Sequence, residues 1–225
     1  MQLASRKPVE TEPQRMGRLA KLPVFLDLAG KRAVVVGGSA AAAWKSELLA
    51  AAGAHVEVYA ETLEPDMASS IAGSNADNPI RHHSRHWSAD IFGDAAIALA
   101  DIDCNTEAEA FARAARAAGV LVNVIDKPAF CQFQFGSIVN RSPVIVGIST
   151  DGAAPILAQA IRRRIETVLP PALAAWGELA RRLRETVMTR LTKGAPHRMF
   201  WEQFAKRAFA APPSESEYND LGRRR

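Results

Sequence analysis

The sequence predicts an α/β protein in which a parallel β-sheet comes first, a mixed α/β segment follows, and helices end the chain. Three observations support this fold class. Short apolar runs alternate with helical segments at the spacing of strand–helix–strand units up to residue 125. Gly53 and Gly119 stand where two of these helical segments should end. After Asp126 the pattern changes to two closely spaced strands and then to longer helices.

Local patterns place each element of the first part. Residues 33–36 form an apolar, β-branched run that favours a buried strand, and the alanine-rich segment 41–52 that follows predicts a helix. Residues 55–59 alternate polar and apolar side chains, as a half-buried strand does. The other predicted elements are a helix at 63–70, a weaker strand at 80–87, a strand at 95–99, a helix at 107–118 and a strand at 120–125.

The second part is predicted to begin with two strands, at 133–138 and 143–148, joined by a turn at Asn140-Arg141-Ser142. Pro155 suits the first turn of a helix at 155–168, whose apolar residues fall on one side. Two further helices, at 172–191 and 197–209, follow the break at Pro170-Pro171.

Composition narrows the class of protein. The chain has 225 residues, 48% hydrophobic and 23% charged, which fits one large or two small globular domains. No apolar stretch is long enough to cross a membrane, and the N-terminus has no apolar signal region. Cys104 and Cys131 match neither a zinc spacing nor a disulfide framework. These features predict a cytoplasmic protein with no membrane partner and no metal site.

The net charge of +4 is unevenly distributed, because basic residues concentrate after residue 160. Nucleic acid, a polyanionic small molecule and plain solvation of helix faces are the three alternatives for such a surface. No nucleic-acid-binding motif is present, so we predict no nucleic-acid partner.

The turn after the first strand is the most informative motif. A β-branched strand runs into Gly37 and Gly38, and Ser39, Ala40 and Ala41 then open a helix. Strand, glycine turn and helix in this order are typical of dinucleotide-binding units, where backbone N–H groups face a pyrophosphate. Ser39 stands where the fingerprint has its second glycine, and its side chain would either crowd the phosphate or donate to it. A tight turn without a ligand is the alternative.

Further candidates follow the ends of two other strands. An acid some twenty residues beyond the first glycine suits the ribose hydroxyls of NAD and repels a 2′-phosphate, so Glu61-Thr62 favours NAD over NADP. Ala100 and Asp101 end the strand at 95–99, on the same carboxyl edge, and their backbone would line the nicotinamide side. The alternative for Glu61 is an ordinary surface glutamate.

Asp126 ends the fifth strand at this edge, near the expected position of the nicotinamide ring. We expect a carboxylate there to be partly desolvated, which would raise its proton affinity and suit a general base. A turn aspartate before Lys127-Pro128 is the alternative.

Together these residues resemble the N-terminal module of siroheme synthase and its stand-alone relatives, the precorrin-2 dehydrogenases and sirohydrochlorin ferrochelatases. The resemblance extends over residues 16–210. It is carried by Leu22-Pro23-Val24-Phe25, Gly37-Gly38, Lys45, Gly53-Ala54, Asn123-Val124-Ile125-Asp126, Phe133, Ser137, Asn140-Arg141-Ser142-Pro143, Ser149-Thr150-Asp151-Gly152-Ala153-Ala154-Pro155 and Arg198–Phe204.

The resemblance implies an oxidoreductase that uses NAD to oxidise precorrin-2 to sirohydrochlorin, with ferrous iron insertion as a further, lyase-type activity in many members. It implies a homodimer in which the segment after the nucleotide domain exchanges contacts between subunits. It places the catalytic aspartate at Asp126 and the nucleotide contacts at 38–41, Glu61-Thr62 and near Ala100-Asp101. An electropositive cleft with apolar walls would seat such a carboxylate-rimmed ring. The predicted substrate contacts are Asn123, Ser137, Arg141, Ser149 and Thr150.

With the resemblance, the predicted fold is a Rossmann-like NAD-binding domain, a mixed α/β dimerisation segment and a C-terminal helical domain. The boundaries are a disordered tail at 1–18, the NAD-binding domain at 19–127, the dimerisation region at 128–168, the helical domain at 169–211 and a polar tail at 212–225.

The chain departs from the family pattern at Ser39 and Asp151, where many members have glycine, and at Gly136, where proline is common. The alternative function is a non-catalytic module that senses NAD or NADH and presents its basic helices to a partner. The strand–helix region at 133–155 argues against it, because a simple sensor does not need this region.

Overall fold

A computed structural model describes residues 17–190 and 194–214 of the chain. It contains two compact units. The first spans Val24–Phe135, and the second combines the residues from Gly136 onward with those before Val24. Apart from residues 17–18 and 212–214, the two predicted tails lie outside the described residues.

The first unit is built on a five-stranded parallel sheet with the order β3-β2-β1-β4-β5. Its strands are β1 (Arg32–Val36), β2 (His55–Tyr59), β3 (Ile80–His83), β4 (Ala95–Ala100) and β5 (Leu121–Val124). From β1 the chain first adds β2 and β3 on one side and then β4 and β5 on the other. The direction of the strand order therefore reverses between β1 and β4. In open parallel sheets such a reversal leaves a crevice at the carboxyl ends of the strands, where ligands bind.

Helices cover both faces of this sheet. They are α1 (Ala40–Ala51), α2 (Pro65–Gly73) and α3 (Asn105–Ala117), with short 3-10 helices at Ala89–Phe92 and Pro128–Phe130. Leu49 and Met67, on α1 and α2, pack with Val35 on one face of the sheet. Phe92 and Phe111 pack with Val34 on the other. Successive residues of β1 therefore face opposite cores, and all six of these side chains are almost completely buried.

The second unit begins with an antiparallel hairpin of β6 (Ser137–Arg141) and β7 (Val144–Ile148). Three helices follow, α4 (Pro155–Val168), α5 (Leu173–Arg190) and α6 (Ala195–Ala210). Leu173, Trp176 and Leu179 of α5 pack against Ala208 of α6 in a small core of their own. Of the described helices, none is long and apolar enough to span a bilayer.

All five predicted strands of the first part are present and parallel, but one element of the second part was misplaced. The sequence predicts a strand at 133–138, whereas the strand begins at Ser137 and extends through Asn140 and Arg141, which were expected in a turn. Phe133 and Phe135 belong to an irregular segment whose side chains pack against the sheet core, and this burial explains the misleading apolar pattern.

Candidate nucleotide and catalytic site

The glycine turn after β1 is closely surrounded by backbone from two other connections. Gly37 has a φ of 108°, which favours glycine, and its N–H donates to the carbonyl of Tyr59 at 3.0 Å. A Cβ atom added to Gly37 would lie 2.9 Å from the carbonyl oxygen of Asp101. A Cβ atom on Gly38 would overlap the carbonyl oxygen of Thr62. Both glycines are therefore required by the close approach of the β2–α2 and β4–α3 connections.

Ser39 caps the helix that leaves the turn. Its Oγ accepts a hydrogen bond from the N–H of Ala42 at 3.2 Å, which satisfies one of the free donors of the first turn of α1. The same hydroxyl donates to the carboxylate of Asp101. The hydroxyl proton of Ser39 is thus engaged by Asp101, and the side chain joins the start of α1 to the end of β4.

Glu64 places a carboxylate at the N-terminus of α1. Its Oε2 accepts from the N–H of Ala40 at 3.0 Å, and its own N–H donates to the carbonyl of Gly38 at 2.8 Å. Negative groups are stabilised at this end of a helix, because its free N–H groups and its dipole attract them. Glu64 was not among the residues predicted from the sequence, although it lies three residues after Glu61 and directly before Pro65 of α2.

Glu61 and Thr62 follow β2 on the same edge. Glu61 is exposed and pairs with His86 at 3.1 Å, a contact that contributes little at a surface. The neighbouring His82 ring nitrogen contacts the carbonyl of Ala60 at 2.8 Å, and His83 pairs with Glu57. Across residues 17–190 and 194–214, no group of three potential metal ligands is present.

Asp126 lies in the turn after β5 and has a left-handed φ of 57°. The backbone around it is held on both sides, since the N–H of Ile125 donates to Ala100 at 2.8 Å and that of Lys127 donates to Val124 at 3.1 Å. The predicted partial burial of Asp126 is wrong for this chain, because its side chain is exposed.

Asn123 and Cys131 hold the segment that follows Asp126. The buried Asn123 amide donates to the carbonyl of Phe133 at 2.9 Å, and the Cys131 thiol donates to the carbonyl of Val124 at 3.1 Å. Burial raises the pKa of the Cys131 thiol, which keeps it in its hydrogen-bonding neutral form. The amide of Asn123, predicted to contact substrate, is thus engaged within the fold.

Lys45 is a functional candidate whose only signal in the sequence is its place in the family resemblance. Its ammonium group lies 4.1 Å from the centre of the Phe135 ring and 4.3 Å from the centre of the Trp44 ring. Burial lowers the pKa of Lys45 to about 8, and the negative charge of Asp126 opposes this shift. The influence of Asp126 on this pKa indicates that the two side chains are neighbours.

The remaining predicted substrate contacts lie in the second unit. Ser137 and Arg141 belong to β6, and Ser149 and Thr150 follow β7. Arg141 donates from Nε to the carbonyl of Leu169 at 3.1 Å, which joins the hairpin to the end of α4. The Oγ of Ser149 accepts from the N–H of Asp151 at 3.1 Å. The predicted residues therefore form two sets, one in each unit.

Two of the departures from the family pattern also lie in the second unit. Asp151 has a left-handed φ of 54°, a conformation that glycine adopts most easily, and it pairs with Lys21 at 3.3 Å. A Cβ atom at Gly136 would overlap the carbonyl oxygen of Ile148. A proline at 136 would therefore need a different local backbone.

Comparison with known proteins gives two family matches. The family described as "Putative NAD(P)-binding" matches residues 24–137, half of the chain. The family described as "Sirohaem biosynthesis protein central" matches residues 143–167. The chain belongs to the NAD(P)-binding family of siroheme synthase N-terminal modules.

Curated relatives show what share of a siroheme synthase this chain covers. It is 37% identical over 201 residues to a siroheme synthase of Nitrosococcus oceani, covering 87% of this chain and 42% of the relative. It is 38% identical over 207 residues to a siroheme synthase of Thiobacillus denitrificans, covering 87% of this chain and 41% of that relative. The chain thus spans about two-fifths of the length of the curated relatives it matches.

A solved structure supports the fold of the module. A protein described as SirC, precorrin-2 dehydrogenase, superposes with a TM-score of 0.57 at 18% identity, covering 83% of this chain and all of that one. The predicted Rossmann-like α/β fold of the first unit and a nicotinamide nucleotide as its ligand are confirmed. The preference for NAD over NADP and the site residues themselves stay predictions.

Proposed function

We propose that this chain oxidises precorrin-2 to sirohydrochlorin with NAD, as a step of siroheme biosynthesis. The sheet topology carries the proposal, because the glycine turn after β1 and Asp126 after β5 both lie at the carboxyl edge of one parallel sheet. The names of the relatives, siroheme synthase and precorrin-2 dehydrogenase, support the choice of substrate. The neighbouring Lys45 supplies positive charge for a carboxylate-rimmed ring.

The residues at the turn fit a dinucleotide. The free donors of α1 already hold an anionic group, the Glu64 carboxylate, so this helix start is suited to a phosphate. The proposed contacts of the nucleotide are Gly37, Gly38, Ser39, Ala40, Ala41, Glu61, Thr62, Ala100 and Asp101. Glu61 would bind the ribose hydroxyls once its exposed contact with His86 opens. When bound, NAD supplies the hydride acceptor.

Asp126 is the proposed general base. The oxidation removes two hydrogens from precorrin-2: one leaves with its bonding electrons as the hydride, and the other leaves as a proton. An exposed carboxylate on a turn fixed by backbone hydrogen bonds can accept that proton from a ring docked against it. The proposed substrate contacts of the second unit are Ser137, Arg141, Ser149 and Thr150, and Asn123 would act by holding the segment after Asp126.

We also propose ferrous iron insertion into sirohydrochlorin at the same carboxylate. As the iron enters, the macrocycle must lose two pyrrole N–H protons, and Asp126 is placed to accept them for the same reason as in the oxidation. The iron and the macrocycle are both substrates of this step.

The proposal includes a cytoplasmic homodimer formed through residues 128–168, ahead of a helical domain at 169–211. Several large apolar side chains of this region are exposed in the single chain, among them Ile145, Ile156, Leu157 and Val168. Exposed apolar patches of this kind mark interfaces. Replacing Ile156, which is 81% exposed, with Arg should convert a dimer into a monomer in light scattering.

The test mixes purified protein, precorrin-2 and NAD and follows NADH together with the tetrapyrrole spectrum, with and without ferrous iron. We expect NADH and sirohydrochlorin to form in equal amounts, and Asp126→Asn to abolish turnover while NAD still binds. A nucleotide-sensing module would bind NAD tightly and leave the tetrapyrrole spectrum unchanged, which would refute the proposed oxidation.

A further inference from the structure

The ammonium group of Lys45 lies beside two aromatic rings and near the Asp126 carboxylate, with which it forms no ion pair. The Phe135 and Trp44 ring centres lie 4.1 and 4.3 Å from its Nζ, within the range of a cation–π interaction. Within residues 17–190 and 194–214, none of the ion pairs or side-chain hydrogen bonds involves Lys45. Its charge is held beside the rings, and the nearby Asp126 carboxylate acts on it without forming an ion pair.

Holding this charge in place costs free energy. Burial removes water from the ammonium group and lowers the pKa of Lys45 to about 8, and the nearby Asp126 offsets only part of that effect. At neutral pH the group is still mostly protonated. A half-desolvated cation that forms no ion pair binds an incoming carboxylate more strongly than a fully hydrated surface lysine would.

The surroundings of Lys45 are flat and apolar. Trp44 is 54% exposed, so its ring offers a free surface. The Phe135 ring packs against the Phe133 ring at a centroid distance of 5.4 Å, which fixes its orientation. A cation beside aromatic surfaces matches a ligand with a flat ring and an anionic rim.

We propose that Lys45, with the Trp44 ring beside it, binds a carboxylate side chain of the tetrapyrrole and so holds the macrocycle against Asp126. The proposal rests on the function proposed above and adds a substrate-binding subsite on α1. The ligand class is a polycarboxylate tetrapyrrole. A phosphate of the nucleotide is the competing ligand for this cation, and the experiment separates the two.

The test measures binding of sirohydrochlorin by its absorbance and fluorescence, without NAD, so that turnover is not required. Lys45→Met removes the charge and keeps an apolar chain, Lys45→Arg restores a cation, and Trp44→Ala removes the ring. Lys31→Met is the matched control, because the exposed Lys31 precedes β1 at the opposite edge of the sheet. Circular dichroism and thermal melts establish that each variant is folded.

Charge-assisted contacts change affinity by roughly tenfold or more when one partner is removed. We expect Lys45→Met to weaken sirohydrochlorin binding by about that factor, Lys45→Arg to recover most of it, and Trp44→Ala to weaken binding as well. Lys31→Met should bind like the unmodified protein, and NAD affinity should be unchanged in all four variants.

Equal sirohydrochlorin affinity in Lys45→Met and the unmodified protein would overturn the inference. A loss that appears in NAD affinity would also overturn it and assign Lys45 to the nucleotide. The proposed oxidation is judged separately, by NADH formation in the unmodified protein. A folded protein that binds sirohydrochlorin through Lys45 and produces no NADH would refute the oxidation alone.

Discussion

The hydroxyl group of Ser39 donates a hydrogen bond to the carboxylate of Asp101, so the start of α1 and the end of β4 are tied together at the carboxyl edge of the sheet. The same hydroxyl caps α1 through the N–H of Ala42. A serine at this position of the glycine turn therefore stabilises the turn itself, whereas a glycine there would leave both groups without this partner.

Ser39→Ala should destabilise the protein by about 1 kcal/mol, the usual effect of removing a helix N-cap. Ser39→Thr keeps a hydroxyl and should stay close to the unmodified protein. The measurement is the free energy of unfolding from urea denaturation. An Ala variant as stable as the unmodified protein would show that the cap contributes nothing here.

Gly38→Ala should distort the turn, because its Cβ would overlap the carbonyl oxygen of Thr62. Overpacking of this kind costs about 1–3 kcal/mol, and we expect NAD affinity to fall by roughly tenfold or more. Calorimetric titration with NAD measures the loss. Gly73→Ala is the control, since Gly73 ends α2 with no atom within 4 Å of an added Cβ, and it should bind NAD normally.

Glu64→Gln should increase NAD affinity by several-fold. The Glu64 carboxylate accepts from the N–H of Ala40, where the pyrophosphate is expected, so removing its charge removes a competitor and a repulsion. The same change should lower stability by about 0.3–1 kcal/mol, because an anion at the helix N-terminus is lost.

The matched control for Glu64 is Asp66→Asn, which removes a nearby charge from the first turn of α2. Fluorescence titration with NADH and thermal unfolding are the two readouts. Weaker nucleotide binding in Glu64→Gln would contradict the expected competition between Glu64 and the pyrophosphate. It would instead make Glu64 a contact of the cofactor.

Tetrapyrrole binding should weaken as pH rises through about 8, because Lys45 is charged below its pKa and neutral above it. Asp126 is the charged group that raises this pKa, so Asp126→Asn should move the loss to lower pH. Lys45→Arg should show no loss in this range, since a guanidinium group stays protonated. The measurement is sirohydrochlorin affinity between pH 6 and pH 9.5. Identical pH profiles for the unmodified protein, Asp126→Asn and Lys45→Arg would contradict a role of the Lys45 charge in binding.

The sequence was sufficient for the parallel sheet and the glycine turn, because both depend on local features. Buried strands need β-branched runs, and Gly37 needs a positive φ. The irregular segment containing Phe133 and Phe135 was misassigned as a strand, since alternating aromatic residues can be buried by tertiary packing without strand pairing.

The electrostatics of the site could not be predicted in the same way. Glu64 lies at a helix N-terminus only because the fold brings it to the N–H of Ala40. Lys45 has an aromatic environment only because the fold brings the Phe135 ring to its ammonium group. Asp126 was correctly placed at the end of β5, but its exposure depends on the left-handed turn, which no residue type in that run requires.

A nucleotide that accepts hydride at every turnover has to leave as often as it arrives. If the pyrophosphate binds at the start of α1 as proposed, the Glu64 carboxylate can return to the N–H of Ala40 as soon as the reduced nucleotide leaves. Nucleotide release then replaces the pyrophosphate with the Glu64 carboxylate and does not leave the N–H group of Ala40 without an acceptor. Under the proposed function, this arrangement favours frequent replacement of the cofactor over its permanent retention.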